Sequence, residues 1–270
     1  WATDENLSAS GPRFRGDSPE EWRKNTSHRV TFSRCLVGEG LNHSSHSKGA
    51  HSKGTLLHDN VSDIALIGNL YISNDDRNPL FKGGVRAVMV NNVIHNPGQR
   101  ALQFGQVESQ WRGHEVQRAA LSIVGNIVRK GPSSAADMVL FEVWPEAGNA
   151  DIYLKDNWFF DAKGAPVAAL MGSRDSKRLR PGYTTGSTGG SGYEFVLRTD
   201  VLPPDVKRVQ HPPLWPPRLK ARPVESVQEW VLASVGARPW DRDAVDLRLL
   251  DEVRTGSGKI IDREPVTFRK

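Results

Sequence analysis

Short apolar runs of one shape recur along the chain: Val30 to Leu36, Ile64 to Leu70, Ala87 to Val93, Leu121 to Ile127 and Ile152 to Trp158. The sixth position of each run is the same kind of slot. Asn69, Asn92, Asn126 and Asn157 fill it at spacings of 23, 34 and 31 residues, and Cys35 fills it 34 residues before Asn69. Repeats of this length point to a solenoid, and the scarcity of helix-length patterns between them predicts a β rather than a helical repeat. Asparagine tolerates the left-handed conformation and bonds neighbouring backbone through its amide. Stacked at the inter-strand spacing of about 4.8 Å, such side chains would form a ladder. Five unrelated sandwich strands, each ending in a turn asparagine, are the alternative.

The texture changes after about residue 170. Residues 173–192 are polar and glycine-rich and predict a surface loop, followed by a strand from Tyr193 to Leu197. Residues 203–223 are rich in proline and predict an extended path. Two helices are expected to close the chain: Val224 to Val235, stopped by Gly236, and Asp241 to Arg254, stopped by Gly256. Asp241 serves as N-cap of the second, with Leu247, Leu250 and Val253 as its apolar stripe. Residues 1–200 then form an all-β domain, and residues 201–270 a tail packed on its outside. Trp240 and Arg242 are assigned to that packing.

Composition narrows the partners. A net charge of +5 over 270 residues favours anionic groups through long-range attraction. Zinc-ligand arrays, basic heptads and RNA-recognition signatures are missing, which argues against nucleic acid. There is no apolar run long enough to span a membrane. The single cysteine, Cys35, leaves the redox compartment open. Trp1 reads as the interior of a strand, so the chain is expected to begin partway into a domain.

Chemistry concentrates in residues 46–82. Arg77 and Lys82 stand five residues apart across Pro79, a spacing suited to gripping an anion. His43, His46, His51 and His58 crowd the preceding stretch. A zinc site is one reading, and hydrogen-bonding turns built on the duplicated His-Ser-Lys-Gly are the other; His51 is the most credible base among them. Asp75 and Asp76 are the only tempting carboxylate pair for a hydrolase, but neighbours on a strand point to opposite faces.

The segment Arg77-x-Pro79-x-x-Lys82, running into Gly83 and Gly84 and the next asparagine-bearing strand, resembles the Arg-x-Pro-x-x-Arg motif of the pectate lyase family. His51-x-Lys53 before Gly54-Thr55-Leu56-Leu57 resembles that family's lysine-bearing strand. Trp1 to Asn6 is similar to the strand that supplies a calcium-binding aspartate, and Gly236 to Asp243 to the end of bacterial secreted members. The resemblance covers most of residues 1–262. It implies a right-handed parallel β-helix with an N-terminal part missing, and β-elimination on a uronic-acid chain such as polygalacturonate. Arg77 is then the base, Lys53 neutralises the substrate carboxylate, Lys82 clamps the substrate, and Arg100 and His51 are further substrate contacts. Calcium would be held by hard oxygen ligands from Asp4, Glu5 and Glu39. The chain departs from the family at Lys82, where a point charge replaces a bidentate fork. It departs again in the second calcium turn, where Asp17 and Glu21 have the spacing but Glu39 is better placed. The implied protein is a secreted or periplasmic monomer. A lyase for another uronan and a non-catalytic binder of acidic polysaccharide are the alternatives.

Overall fold

The computed structural model describes residues 1–145, 147–178, 193–199 and 202–263, with the backbone alone for 174–178 and 193–199. Most strands fall into three sheets and pair in parallel. The first sheet runs through Glu5–Ala9, Lys53–Leu57, Leu80–Phe81, Leu102–Phe104, Phe141–Val143 and Met171–Arg178. The second takes Thr31–Ser33, Ile64–Ile67, Arg86–Val90, Ala119–Val124, Ala150–Lys155 and Val206–Arg208. The third takes Leu36–Gly38, Leu70–Ile72, Val93–His95, Ile127–Arg129 and Trp158–Phe160. Successive strands thus visit the sheets in rotation, and each pairs with the strand one repeat later. Two antiparallel strands, Pro166–Val167 and Tyr193–Thr199, join the third and first sheets late in the chain. This parallel pairing decides against a sandwich. Met171–Arg178 also corrects the expected loop over 173–192, of which residues 179–192 lie outside the described residues.

In-register pairing stacks like on like in the core. Leu57, Phe81, Phe104 and Val143 form one row of the first sheet. Leu66, Met89, Ile123 and Leu154 align in the second, and Tyr71, Ile94, Val128 and Phe159 in the third. These rows meet in one apolar cluster, and full burial of each such side chain is worth roughly 1.5–3 kcal/mol.

The second and third sheets are joined every time by a two-residue bend. Its first residue, Arg34, Gly68, Asn91, Gly125 or Asp156, holds φ between 52° and 66°. The left-handed position is therefore the residue before the recurring slot, not the asparagine itself. At Gly125 a Cβ would stand 2.5 Å from the amide nitrogen of Asn91, so the close approach also requires glycine. The second residue builds the ladder. Asn69 Nδ2 donates to Asn92 Oδ1, Asn92 Nδ2 to Asn126 Oδ1, and Asn126 Nδ2 to Asn157 Oδ1, each at 2.9 Å. Each of those oxygens also accepts the backbone N–H of the residue one step earlier, and the Cys35 N–H ends the series on Asn69 Oδ1 at 2.8 Å.

The tail covers two of the sheets. Val227–Ser234 and Ala244–Thr255 are α-helices, and Val227, Val231, Leu232, Leu249, Leu250 and Val253 pack on Leu70, Ile72, Val93 and Ile127 of the third sheet. Leu214, Trp215 and Leu219 pack over Ala65, Val88 and Val90 of the second. The cap of the last helix is Asp243, whose carboxylate accepts the Asp246 N–H at 2.9 Å, rather than Asp241. Gly256 ends the helix as expected, but the stripe is displaced: Leu249 takes the place read for Leu247, which is 54% exposed. Arg242 packs by donating to the carbonyls of Leu232 and Val235, whereas Trp240 points outward, 80% exposed. Trp1 lies ahead of the first strand rather than within it. Among the described residues, no helix is long and apolar enough to cross a membrane.

The ladder makes a quantitative prediction. Asn92→Ala strips partners from the buried N–H and amide of Asn69 and should cost about 2–4 kcal/mol in urea unfolding. Asn157→Ala, at the less buried end, should cost about half as much.

Candidate functional site

The chemistry-bearing residues gather on and beside strands of the first sheet: Glu5 and Lys53 open theirs, Arg77 and Arg100 precede theirs, and Lys82 follows Leu80–Phe81. Glu5 pairs in register with Lys53, and Lys53 bridges in parallel to Asp76, so three charged residues stand side by side across neighbouring segments of the sheet. Gly54 lets the next segment approach closely, since a Cβ there would meet the Arg77 carbonyl at 2.5 Å. Gly54 N donates to Asp76 O at 2.9 Å and Thr55 N to Arg77 O at 2.6 Å. Arg77 adopts φ 60°, costly for a residue with a side chain and tolerable because its flanks are over-determined. Asn78 ties the turn, donating to the carbonyls of Asn74 and Arg100 at 3.3 and 3.2 Å.

Asp76 is the hub. Lys53 Nζ lies 3.1 Å from its Oδ2, Arg100 Nη1 3.4 Å from the same oxygen, and Gln103 Nε2 donates to Oδ1. Arg100 reaches on through Nε to Glu142 Oε1 at 2.8 Å. Burial alone would keep Asp76 protonated, yet the charges of Lys53 and Arg100, with the bonds from Lys53 and Gln103, hold its pKa at about 2. Its neighbour goes the opposite way: burial, then repulsion from Asp76, push Asp75 up to about 6. On Arg100 burial is outweighed by Asp76 and Glu142, which raise its pKa.

The two cations of the Arg-x-Pro-x-x-Lys segment diverge. Arg77, with 22% of its side chain exposed, pairs through Nη1 with Glu5 Oε1. Burial lowers its pKa, and Arg100 adds to this while Asp4 opposes it. Lys82 is only 4% exposed and lies 5.6 Å from the centre of the Trp144 ring. Its pKa is lowered by burial against the attraction of Asp59. Trp144 is itself fixed by donating from Nε1 to Gln103 Oε1 at 3.3 Å. Lys53 is buried too, at 3%.

The three acids assigned to calcium go to three different partners. Asp4 faces two histidines, His51 at 3.0 Å and His46 at 3.3 Å. Glu5 is taken by Arg77. Glu39, 2% exposed, accepts from Trp1 Nε1 and from Arg248 of the last helix, both at 2.8 Å. Among the described residues, the only trio of metal-capable side chains is Asp4, His46 and His51. One carboxylate and two imidazoles do not fit calcium, which asks for six to eight oxygens. Asp17 and Glu21 stay local, Glu21 Oε2 accepting the Asp17 N–H at 2.6 Å. His58 pairs with Asp59 at 2.9 Å, and His43 with Asp262 at 2.6 Å.

Sequence reasoning thus singled out Lys53, Arg77, Lys82 and Arg100 but missed Gln103, Glu142 and Trp144; the structure sets Lys53 and Arg100 on Asp76, Arg77 on Glu5 and Lys82 against Trp144. The apolar–polar alternation of Leu102–Phe104 and Phe141–Val143 is a strand signal for Gln103 and Glu142, but nothing in it marks them, or Trp144 just beyond, as partners of the cations. No family model matches the chain, and no curated protein matches its sequence.

The carboxylate pair dictates a pH dependence. Asp75 titrates near 3.8 when unfolded and near 6 when folded, so its protonated form is favoured by folding. Stability on this account is full below pH 3.8, falls as pH rises to about 6, and stays reduced above, by on the order of 2–3 kcal/mol. Asp76 acts oppositely, losing stability only as pH falls from 3.8 toward 2. Asp75→Asn should therefore be more stable than the parent in urea at pH 7, by on the order of 2 kcal/mol, and equal to it at pH 4. A variant no more stable at pH 7 would show that the Asp75 charge is not a burden on the fold.

Proposed function

We propose that the chain is a polysaccharide lyase of the pectate lyase type, acting on a polygalacturonate-like uronan outside the cytoplasm. In this reading the three sheets wind as a right-handed parallel β-helix. Strand rotation among the sheets supports the winding, and crossovers between parallel strands are right-handed in about 98% of cases. One observation carries the function: Lys53, at the start of a strand of the first sheet, shares Asp76 with Arg100, and Arg77 and Lys82, flanking the strand between them, are near enough for the charge of Arg100 to act on Arg77 and that of Arg77 on Lys82. A uronan presents a carboxylate on every sugar, and a row of cations is the complement of such a chain.

Elimination removes the proton at C5 beside that carboxylate. The C–H electron pair becomes the C4–C5 double bond, the bond from C4 to the glycosidic oxygen breaks, and that oxygen takes a proton from water. Negative charge builds on the carboxylate, so cations aimed at it lower the barrier. Arg77 is the most exposed of the four and is the base in this scheme. Its lowered pKa favours that role; its pair with Glu5 must open first, because the carboxylate holds the proton on the guanidinium. Lys53 answers the carboxylate charge from behind, anchored by Asp76, and Lys82 holds the neighbouring sugar. Calcium has no step in this scheme, since the acids present do not assemble around it.

The burial of Lys53 and Lys82 favours a second reading, a β-helix that binds acidic polysaccharide through Arg77 and leaves it intact. Ultraviolet absorbance separates the two, because only elimination creates a conjugated unsaturated uronate. Polygalacturonate incubated with the protein should gain that absorbance. Arg77→Lys should lower kcat about 10²–10⁴-fold with folding preserved, the range for loss of a general base. Turnover retained in that variant removes arginine as base. Binding without absorbance on any uronan selects the second reading.

A further inference from the structure

We propose that Asp4, His46 and His51 form a binding site for a borderline transition-metal dication of the zinc class, not for calcium. The inference rests on the geometry of these three side chains and stands apart from the lyase reading. The rings of His46 and His51 stack parallel, with centres 4.1 Å apart and an interplanar angle of 0°. Both turn Nε2 toward one carboxylate, His51 to Oδ1 at 3.0 Å and His46 to Oδ2 at 3.3 Å. One atom from each side chain falls within a 4.8 Å group. Zinc bonds of about 2.0–2.1 Å in tetrahedral array put neighbouring ligand atoms about 3.3 Å apart, close to both measured separations.

A second observation points to a missing partner. Neither ring nitrogen of His51 makes a hydrogen bond, although the residue is 6% exposed, and buried Asp4 Oδ1 makes none either. His51 Nε2 and Asp4 Oδ1 are near each other but misaligned for a proton between them. A buried imidazole with both nitrogens unsatisfied is costly, and a cation placed between Nε2 and Oδ1 answers two of the three orphaned atoms at once. The donor set chooses the ion: imidazole nitrogen suits zinc, nickel, cobalt and copper, while calcium and magnesium require oxygen.

The local chain both builds and taxes the site. Asp4 immediately precedes Glu5, whose pairing with Lys53 fixes it opposite the segment that enters the next strand. His51 is held by its N–H on Asn42 O at 2.8 Å, and the His46 carbonyl closes a turn with Gly49 N at 3.1 Å. Lys48 N donates to His46 Nδ1 at 3.2 Å, which keeps the His46 proton on Nε2, facing Asp4. Metal binding releases that proton from Nε2, and Nδ1 takes one up, so the exchange costs this single long bond. Three protein ligands leave a fourth position to water, as in open zinc sites.

Zinc chloride titrated calorimetrically into the full chain, freed of any histidine tag and stripped with chelator, should bind at one equivalent. It should raise the thermal midpoint, and millimolar calcium should not displace it. Cobalt in place of zinc should give the visible bands of a tetrahedral site. His46→Ala and His51→Ala should each weaken zinc at least about 10–100-fold, the loss that follows even removal of an outer-sphere partner. Near-UV circular dichroism checks that both variants fold, and the more exposed His46 keeps the test valid if His51→Ala does not. His43→Ala should bind as the parent does. No zinc binding by the parent, or binding unchanged in His46→Ala, would overturn the site. Since no substrate is present, either result leaves the lyase question where absorbance puts it.

Discussion

Parallel strands cannot be joined by a tight turn; the chain must travel well away and return before a strand finds its neighbour. Here it returns after 23, 34 or 31 residues, and every return must arrive in register or the apolar rows come apart. The two-residue bend between the second and third sheets supplies that register. A left-handed residue turns the chain, and the asparagine after it bonds the bend before and the bend after. At the buried Asn69, Asn92 and Asn126 neither the amide nor the backbone N–H has water to fall back on, so a slipped bend would strand several polar groups together. The tail uses the same row: Asn91 donates to the Arg222 carbonyl at 3.1 Å and accepts the Arg222 N–H at 2.7 Å, which latches the covering segment to one bend.

The cations of the first sheet face the opposite problem. Lysine and arginine at burial of this depth need a carboxylate or a lowered pKa, and both solutions occur within a few ångströms. Asp76 takes two cations and an amide and stays ionised, while Lys82 and Arg77 are weakened as acceptors of a proton by the loss of solvent. Asp75 absorbs the remaining imbalance by leaning toward its neutral form. The result is a charge set that is close to neutral internally and yet offers one partly exposed guanidinium, that of Arg77, to the surface.

The asparagine spacing made the repeat and its strands legible, because a slot that recurs in every circuit leaves a period in the sequence. The cation set was legible for a different reason: Arg77, Pro79 and Lys82 lie within one short segment. The partners of the cations lie 23 to 72 residues away, as with Lys53 and Asp76 or Arg77 and Glu5, and no single spacing links a charge to its counter-charge. Glu39 shows the same limit at its extreme. As an acid in the right repeat it suited a metal, but Arg248, 209 residues on, reaches it first. The helix stripe held at Leu250 and Val253 and failed only at Leu247, where Leu249, next to Leu250 on the buried side, takes its place.

The constancy of the two-residue bend has a further consequence. The differences in repeat length must fall outside that bend, and the other two connections take large ones, such as the four residues between Phe81 and Arg86 against the fourteen between Phe104 and Ala119. Both kinds of connection open from the ends of the first sheet, where the charged residues gather. Insertions and deletions there change what borders the charged row without moving a single ladder bond. One side of the molecule is thereby a fixed spine and the other a place where new loops can be grafted, so the surroundings of the charged row are open to change by loop exchange alone.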